Sequence, residues 1–248
     1  MTGSILPRHP TEPRTTSLKT FFPGFPPEGL KFLRRLKQNN NRDWFLEHKQ
    51  IYEQQVKLPM TGLVLALGGE LSRFAPELNA DPKRAIYRIY RDIRFSSDKT
   101  PYKTQIAAAF PPRGLSKHAG AGLYFHIAPE EVLIAGGVYM PGPAELRAIR
   151  NHIANQYERL RQILNDREFK KLFGGLEGDR LTRVPLGFPA DHPAVGLLRY
   201  KQFLAYSTHP AELAQSNELL PLVLRNFRAM MPLLRFLNAP LSQASAAG

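Results

Sequence analysis

The stretch RIYRDIRFSSDKTPYKT, Arg88 to Thr104, sets five cations (Arg88, Arg91, Arg94, Lys99 and Lys103) among two aspartates, three aromatic residues and a turn dense with hydroxyls. Arginine's planar fork gives paired hydrogen bonds to carboxylates and phosphates, and the amides of a tight turn add an anion-binding concavity. Two acids do not neutralise five cations. The segment therefore reads as a site for a small phosphorylated or carboxylate ligand, with Arg88, Arg91, Arg94, Lys99, Tyr102 and Lys103 as candidate binding residues. The competing reading is a self-satisfied network. There Asp92, Asp98 or Glu47 pairs a buried arginine, Asp98 and the hydroxyls bond turn amides, and Pro101 sets the chain direction.

An enzymatic alternative uses the same cations. In a hydrolase or transferase acting on a phosphorylated substrate, Arg91, Arg94 and Lys99 would stabilise a developing anion while His192 or Asp98 handles protons, with Lys201 near His192. Adjacent side chains rarely face one another, so Asp191 is poorly placed to orient His192. It reads better as the cap of a short helix with Pro193 in its first turn. His126 shares a strand face with Tyr124 and reads as a hydrogen-bonded sheet residue. Gly136–Gly137 interrupts an apolar strand, which marks a bulge or the close approach of a backbone or ligand.

Other chemistry is excluded by what the chain lacks. With no cysteine in 248 residues there is no disulfide, zinc-thiolate site, iron–sulfur cluster or thiol nucleophile. GxxxxGK[ST], strand-linked GxGxxG, HExxH and GxSxG are all absent. The seven histidines show no i,i+4 pairing, so no metal site is expected and no cofactor is indicated. The net charge of +13 is patchy: residues 1–40 carry seven cations against two anions, and residues 81–104 seven against three. Such patches suit a small anion first and nucleic acid second. No run is long enough to span a membrane and no secretory leader is present, so a cytoplasmic protein is expected.

Hydrophobic spacing predicts the elements that must hold these residues. Leu30, Leu33 and Leu36 mark a first helix, and the asparagines at 39–41 end it and cap a second. The second carries Trp44, His48, Ile51, Tyr52 and Val56 on one face, Pro59 ends it, and a third helix follows through Phe74. From residue 84 the period falls to two, predicting a four-stranded antiparallel meander over 84–140. Leu146, Ile149, Ile153, Leu160 and Leu164 mark one long helix; RYKQFLAYS reads as a further strand; a last helix from Ser216 is interrupted by Pro221 and Pro232. The expected architecture is α+β: a disordered basic tail at 1–19, a single domain over 20–239 with the meander flanked by N- and C-terminal helices, and a disordered tail over 240–248. The Arg-rich, acid-poor start would also suit an organelle transit peptide.

NNNRDWF, RIYRDIRFSSDKTPYKT, GGVYMP, DHP and LLRYKQF together make the chain resemble the domain of unknown function 2461 family, a conserved hypothetical family of bacteria and some fungi. The resemblance runs from Phe21 to Leu237. It implies a single compact domain and brings no activity, cofactor or catalytic residue with it.

Overall fold

The computed structural model of the chain describes residues 21–114 and 120–246. Helix α1 (Pro27–Gln38) starts with proline at its first position and buries Leu30, Phe32, Leu33 and Leu36. Asn41 then caps α2 (Arg42–Ile51), its side chain accepting the Trp44 N–H at 3.0 Å. The break expected at Pro59 does not occur. α2 runs through a π-helical stretch, Tyr52–Lys57, directly into α3 (Leu58–Phe74). Pro59 has no N–H to offer the Gln55 carbonyl, and a widened turn accommodates the mismatch without ending the helix. The Gln55 carbonyl is instead approached by Gly29 of α1, where any Cβ would collide with it.

The expected fold class holds, with a different membership of strands. The sheet is a four-stranded antiparallel meander in the order β1 (Ile106–Phe110), β2 (Gly122–Ile127), β3 (Glu131–Val138) and β4 (Phe203–Pro210). The segment 84–91 is not its first strand. After the short α4 (Pro82–Ala85) it meets β1 only at the Ile86–Ala108 bridge and the Tyr87 N–H to Ala107 carbonyl bond of 2.9 Å. It then turns away to pair with residues 101–103. RYKQFLAYS supplies the fourth strand. On the other side of the sheet, Glu177 exchanges two backbone hydrogen bonds with Leu204, at 2.7 and 3.0 Å.

Between β3 and β4 the chain makes α5 (Pro143–Asn155), α6 (Tyr157–Asn165), α7 (Arg167–Phe173) and the short α8 (Val195–Leu198). The single helix expected over 146–164 is thus two, separated at Gln156, whose backbone (φ −126°, ψ 32°) leaves the helical region. The C-terminal α9 (Leu219–Ala246) is uninterrupted, contrary to the expected break at its prolines. Pro221 sits in the first turn, where no N–H is needed. Pro232 faces solvent, where the Arg228 carbonyl it leaves unbonded can be hydrated. The C-terminal tail expected from residue 240 begins inside α9; residues 1–20, 115–119 and 247–248 lie outside the described residues. No helix among those described is long and apolar enough to cross a membrane.

Period-two alternation gives the sheet two unlike faces. Phe110, Phe125, Ile134 and Phe203 point into the core and are essentially solvent-free. α9 closes this side, with the Phe227 ring 5.6 Å from Phe110 and 6.4 Å from Phe125. Among the described residues, no helix residue lines the hollow on the opposite face. Gly137 marks where β3 bends past β4: its φ is +133°, and a Cβ there would collide with the Phe203 carbonyl. A strained backbone residue costs about 1–3 kcal/mol and overpacking about as much again. Gly137→Ala should lower the unfolding free energy in urea by roughly 2–4 kcal/mol; a loss below ~0.5 kcal/mol would show that the glycine is dispensable.

Candidate functional site

Residues 86–103 form an irregular hairpin. The Arg91 N–H donates to Pro101 at 2.9 Å, the Lys103 N–H donates to Ile89 at 2.8 Å, and Tyr90 bridges Tyr102. Its anchor is Asn40, whose amide behaves as a short piece of strand. Nδ2 donates to the Tyr102 carbonyl at 2.9 Å, and Oδ1 accepts the Tyr102 N–H at 3.1 Å. The Tyr102 ring is buried and stacked on Phe45 at 4.1 Å. NNNRDWF and RIYRDIRFSSDKTPYKT are therefore two halves of one clamp.

At the hairpin tip the charges meet one another. Arg94 grips Asp92 in a two-point contact, Nε to Oδ1 at 3.0 Å and Nη2 to Oδ2 at 2.7 Å. Arg91 bonds Asp98 and Thr100. Hydrogen bonds from Arg94 hold the Asp92 carboxyl down to about 2. The Thr100 amide, then Arg91, do the same to Asp98, also to about 2. Lys99 Nζ donates to the Ile93 carbonyl and Lys103 Nζ to the Arg88 carbonyl, each at 3.0 Å. Phe95, 95% exposed, projects from the tip beneath the Arg94 guanidinium. Arg88, Arg91, Arg94 and Lys99 line neither of the two cavities described below; Lys103 borders one of them.

That cavity, about 640 Å³, occupies the sheet face that α9 leaves open. Small residues make its floor: Ala107 and Ala109 of β1, Gly122 of β2, Ala135 and Gly137 of β3. Leu133 and Leu204 add apolar surface, and Tyr87, Tyr139, Met140 and Tyr206 rise around it. Its polar groups are Lys103, Gln105, Tyr124 and His126. The Lys103 ammonium also lies 5.2 Å from the centre of the Tyr87 ring.

His126, 8% exposed, is held from both sides. Nδ1 lies 3.1 Å from the Tyr124 hydroxyl and Nε2 lies 3.3 Å from Glu131. Gln105 Nε2 reaches the same hydroxyl at 3.4 Å. Burial lowers the His126 pKa from its ordinary value, outweighing the opposing pull of Glu131, and burial pushes the Tyr124 phenol up to about 12. Both groups are neutral at pH 7.

The remaining candidates sit elsewhere. His192 Nδ1 accepts the Ala194 N–H at 3.0 Å, so the histidine, not Asp191, serves the turn before α8; the helix starts at Val195, too late for the expected aspartate cap. Lys201 is exposed, and no hydrogen bond joins it or Asp191 to the His192 ring among the described residues. A second hollow of about 370 Å³ lies near this segment. Its arginines are engaged: Arg161 with Glu158, and Arg180 against Tyr200. No cluster able to hold a metal ion occurs among the described residues.

A family model described as conserved hypothetical protein (DUF2461) matches residues 28–236. The chain belongs to the DUF2461 family. The matched span holds the Asn40 clamp, the hairpin and the whole cavity of this DUF2461 protein. No curated protein matches the sequence.

Sequence reasoning singled out Lys103, the Tyr124–His126 pair and Gly136–Gly137, all of which border the cavity, but missed Tyr87, Gln105, Tyr139 and Tyr206. The available signal was alternation: residues 107 and 109, 122, and 135 and 137 are all alanine or glycine on one face.

Two outcomes test this geometry. Asn40→Ala removes two hydrogen bonds and strands two backbone groups, so it should cost about 2–4 kcal/mol in urea unfolding, with Asn40→Asp intermediate because it keeps the acceptor. His126 binds its proton less readily folded than unfolded, so its stabilising effect is complete above about 6.5 and is lost as pH falls. The stability gap between wild type and His126→Gln should narrow from pH 7.5 to pH 5; a constant gap would contradict the assignment.

Proposed function

We propose that this DUF2461 protein binds a small anionic ligand with a flat, apolar body in the cavity on the open sheet face. Lys103 meets the anionic end and the tyrosines flank the body. The observation that carries the reading is the character of that face. A sheet face turned to water is ordinarily polar, yet this one presents alanine, glycine, leucine and tyrosine around about 640 Å³. Such a concave apolar surface with a few converging polar groups is the usual form of a small-molecule site. Its volume lies within the range those sites span.

The strand-turn motif keeps a part in this reading, through position more than charge. Clamped by Asn40 and Phe45, it delivers Tyr87, Lys103 and Gln105 to the cavity wall. Its arginines hold the tip to itself through Asp92 and Asp98.

Fluorescence titration with 2-naphthoate and its neutral isostere 2-naphthamide tests the proposal. Lys103→Met, which keeps the stem and removes the charge, should weaken naphthoate about tenfold, or about 1.4 kcal/mol, and leave naphthamide unchanged. Arg91→Ala/Arg94→Ala should leave both unchanged. Loss of naphthoate binding in that double variant, with Lys103→Met unaffected, would move the anion site to the hairpin tip. Duplex DNA binding that weakens steeply with salt would favour nucleic acid there instead.

A further inference from the structure

The hydrogen-bonded chain Glu131–His126–Tyr124 has a direction, and that direction selects among ligands. The Glu131 carboxylate, 3.3 Å from His126 Nε2, only accepts, so Nε2 carries the ring proton. A neutral imidazole with its proton on Nε2 has a bare Nδ1, which must accept. The group facing Nδ1 at 3.1 Å is the Tyr124 hydroxyl, whose single proton is thereby committed away from the cavity. Burial keeps the imidazole neutral and the phenol protonated, so nothing reverses the order near pH 7. Gln105 Nε2 approaches the Tyr124 oxygen as a donor at a long 3.4 Å. A phenolic oxygen has a second acceptor position, and Tyr124 borders the cavity.

We infer that Tyr124, wired through His126 to Glu131, presents a hydrogen-bond acceptor to the cavity and so selects ligands bearing a hydroxyl or amine donor on the apolar body, opposite the anionic group. The ligand class is thus a hydroxy- or amino-substituted aromatic acid, or one of similar outline. The spacing is compatible. Lys103 and Gln105 stand two residues apart across a bend, at most about 7 Å along the chain, and Gln105 reaches Tyr124. An anion at Lys103 and a donor at Tyr124 are then separated by about the length of one or two fused rings. Tyr124 is the group that touches ligand. His126 and Glu131 are positioning residues.

This inference rests on the cavity being the ligand site, and the test separates the two. Binding of 6-hydroxy-2-naphthoate is compared with that of 2-naphthoate on wild type, Tyr124→Phe and Glu131→Gln, each checked for folding by circular dichroism. Wild type should favour the hydroxylated probe about tenfold. Tyr124→Phe should bring the ratio near one while still binding 2-naphthoate. Glu131→Gln, whose amide can donate or accept and so frees the imidazole tautomer, should lower the ratio without abolishing binding, a change that simple loss of packing would not produce. A wild-type ratio near one, with Lys103-dependent binding intact, overturns the inference and leaves the site. A tenfold preference that survives Tyr124→Phe also overturns it, since the donor is then read elsewhere. Failure of both probes to bind overturns site and inference together.

Discussion

Everything in this molecule is organised by the way one long helix lies on the middle of the sheet. Gly136, at the centre of β3, makes that approach possible: a Cβ there would stand 2.7 Å from the Met230 sulfur and 3.2 Å from Leu234 of α9. With the glycine in place, α9 sets Phe227 against Phe110 and Phe125 and covers the middle of that sheet face, while α7 packs against β4. Its outer side gathers the other helices by charge, Arg228 to Glu70 and Arg235 to Glu77 on the α3 side, and Arg225 to Glu168 of α7. These exposed pairs add little stability singly. The buried aromatic contacts dominate, because each large apolar side chain removed from water is worth about 1.5–3 kcal/mol.

A helix that commits so much apolar surface to one face leaves the other to different uses. Among the described residues, those lining the hollow on the second face come from strands and loops and none from a helix, so that face lacks the cover that a three-layer fold would supply. There the alternating side chains shrink to alanine and glycine. The result is a hollow, with tyrosines raised around it. The basic hairpin acts as a wall to this hollow. Two of its five cations pair with its own aspartates and its two lysines bond its own carbonyls, and these contacts tie the hairpin to itself.

How much of this was legible beforehand depends on whether the signal was local. Leu30, Leu33 and Leu36, the Asn41 cap and the period-two runs at 106–110, 122–127 and 131–138 are local, and each led to the right element. Residues 84–91 alternate as well as any strand. They fail as one because Asn40 and Phe45, more than forty residues away, take hold of Tyr102 and bend the hairpin off β1. Pro59 and Pro232 misled in the other direction, since a π-turn in one case and an exposed position in the other absorb the missing hydrogen bond. The cavity was nearly visible as a stripe of small residues, but no local pattern announces that a sheet face will be left without a helix. His126 was placed correctly among hydrogen-bonded sheet residues; its orientation toward Glu131 required the β2–β3 turn to exist first.

The two borders of the sheet share a property with consequences for how molecules of this protein meet one another. β1 is flanked by a hairpin that touches it at a single bridge before curving away, and β4 by the loop strand at Glu177, which pairs with Leu204 alone before leaving. A free strand edge is a template on which another chain can add itself, the first step toward aggregation. Here each edge is met at one point only, Ala108 of β1 and Leu204 of β4, and among the described residues no backbone partner covers the outer side of β4 from Tyr206 to Pro210. The border where another chain has room to add a strand is therefore that far stretch of β4, while the hairpin curving beside β1 crowds the opposite border.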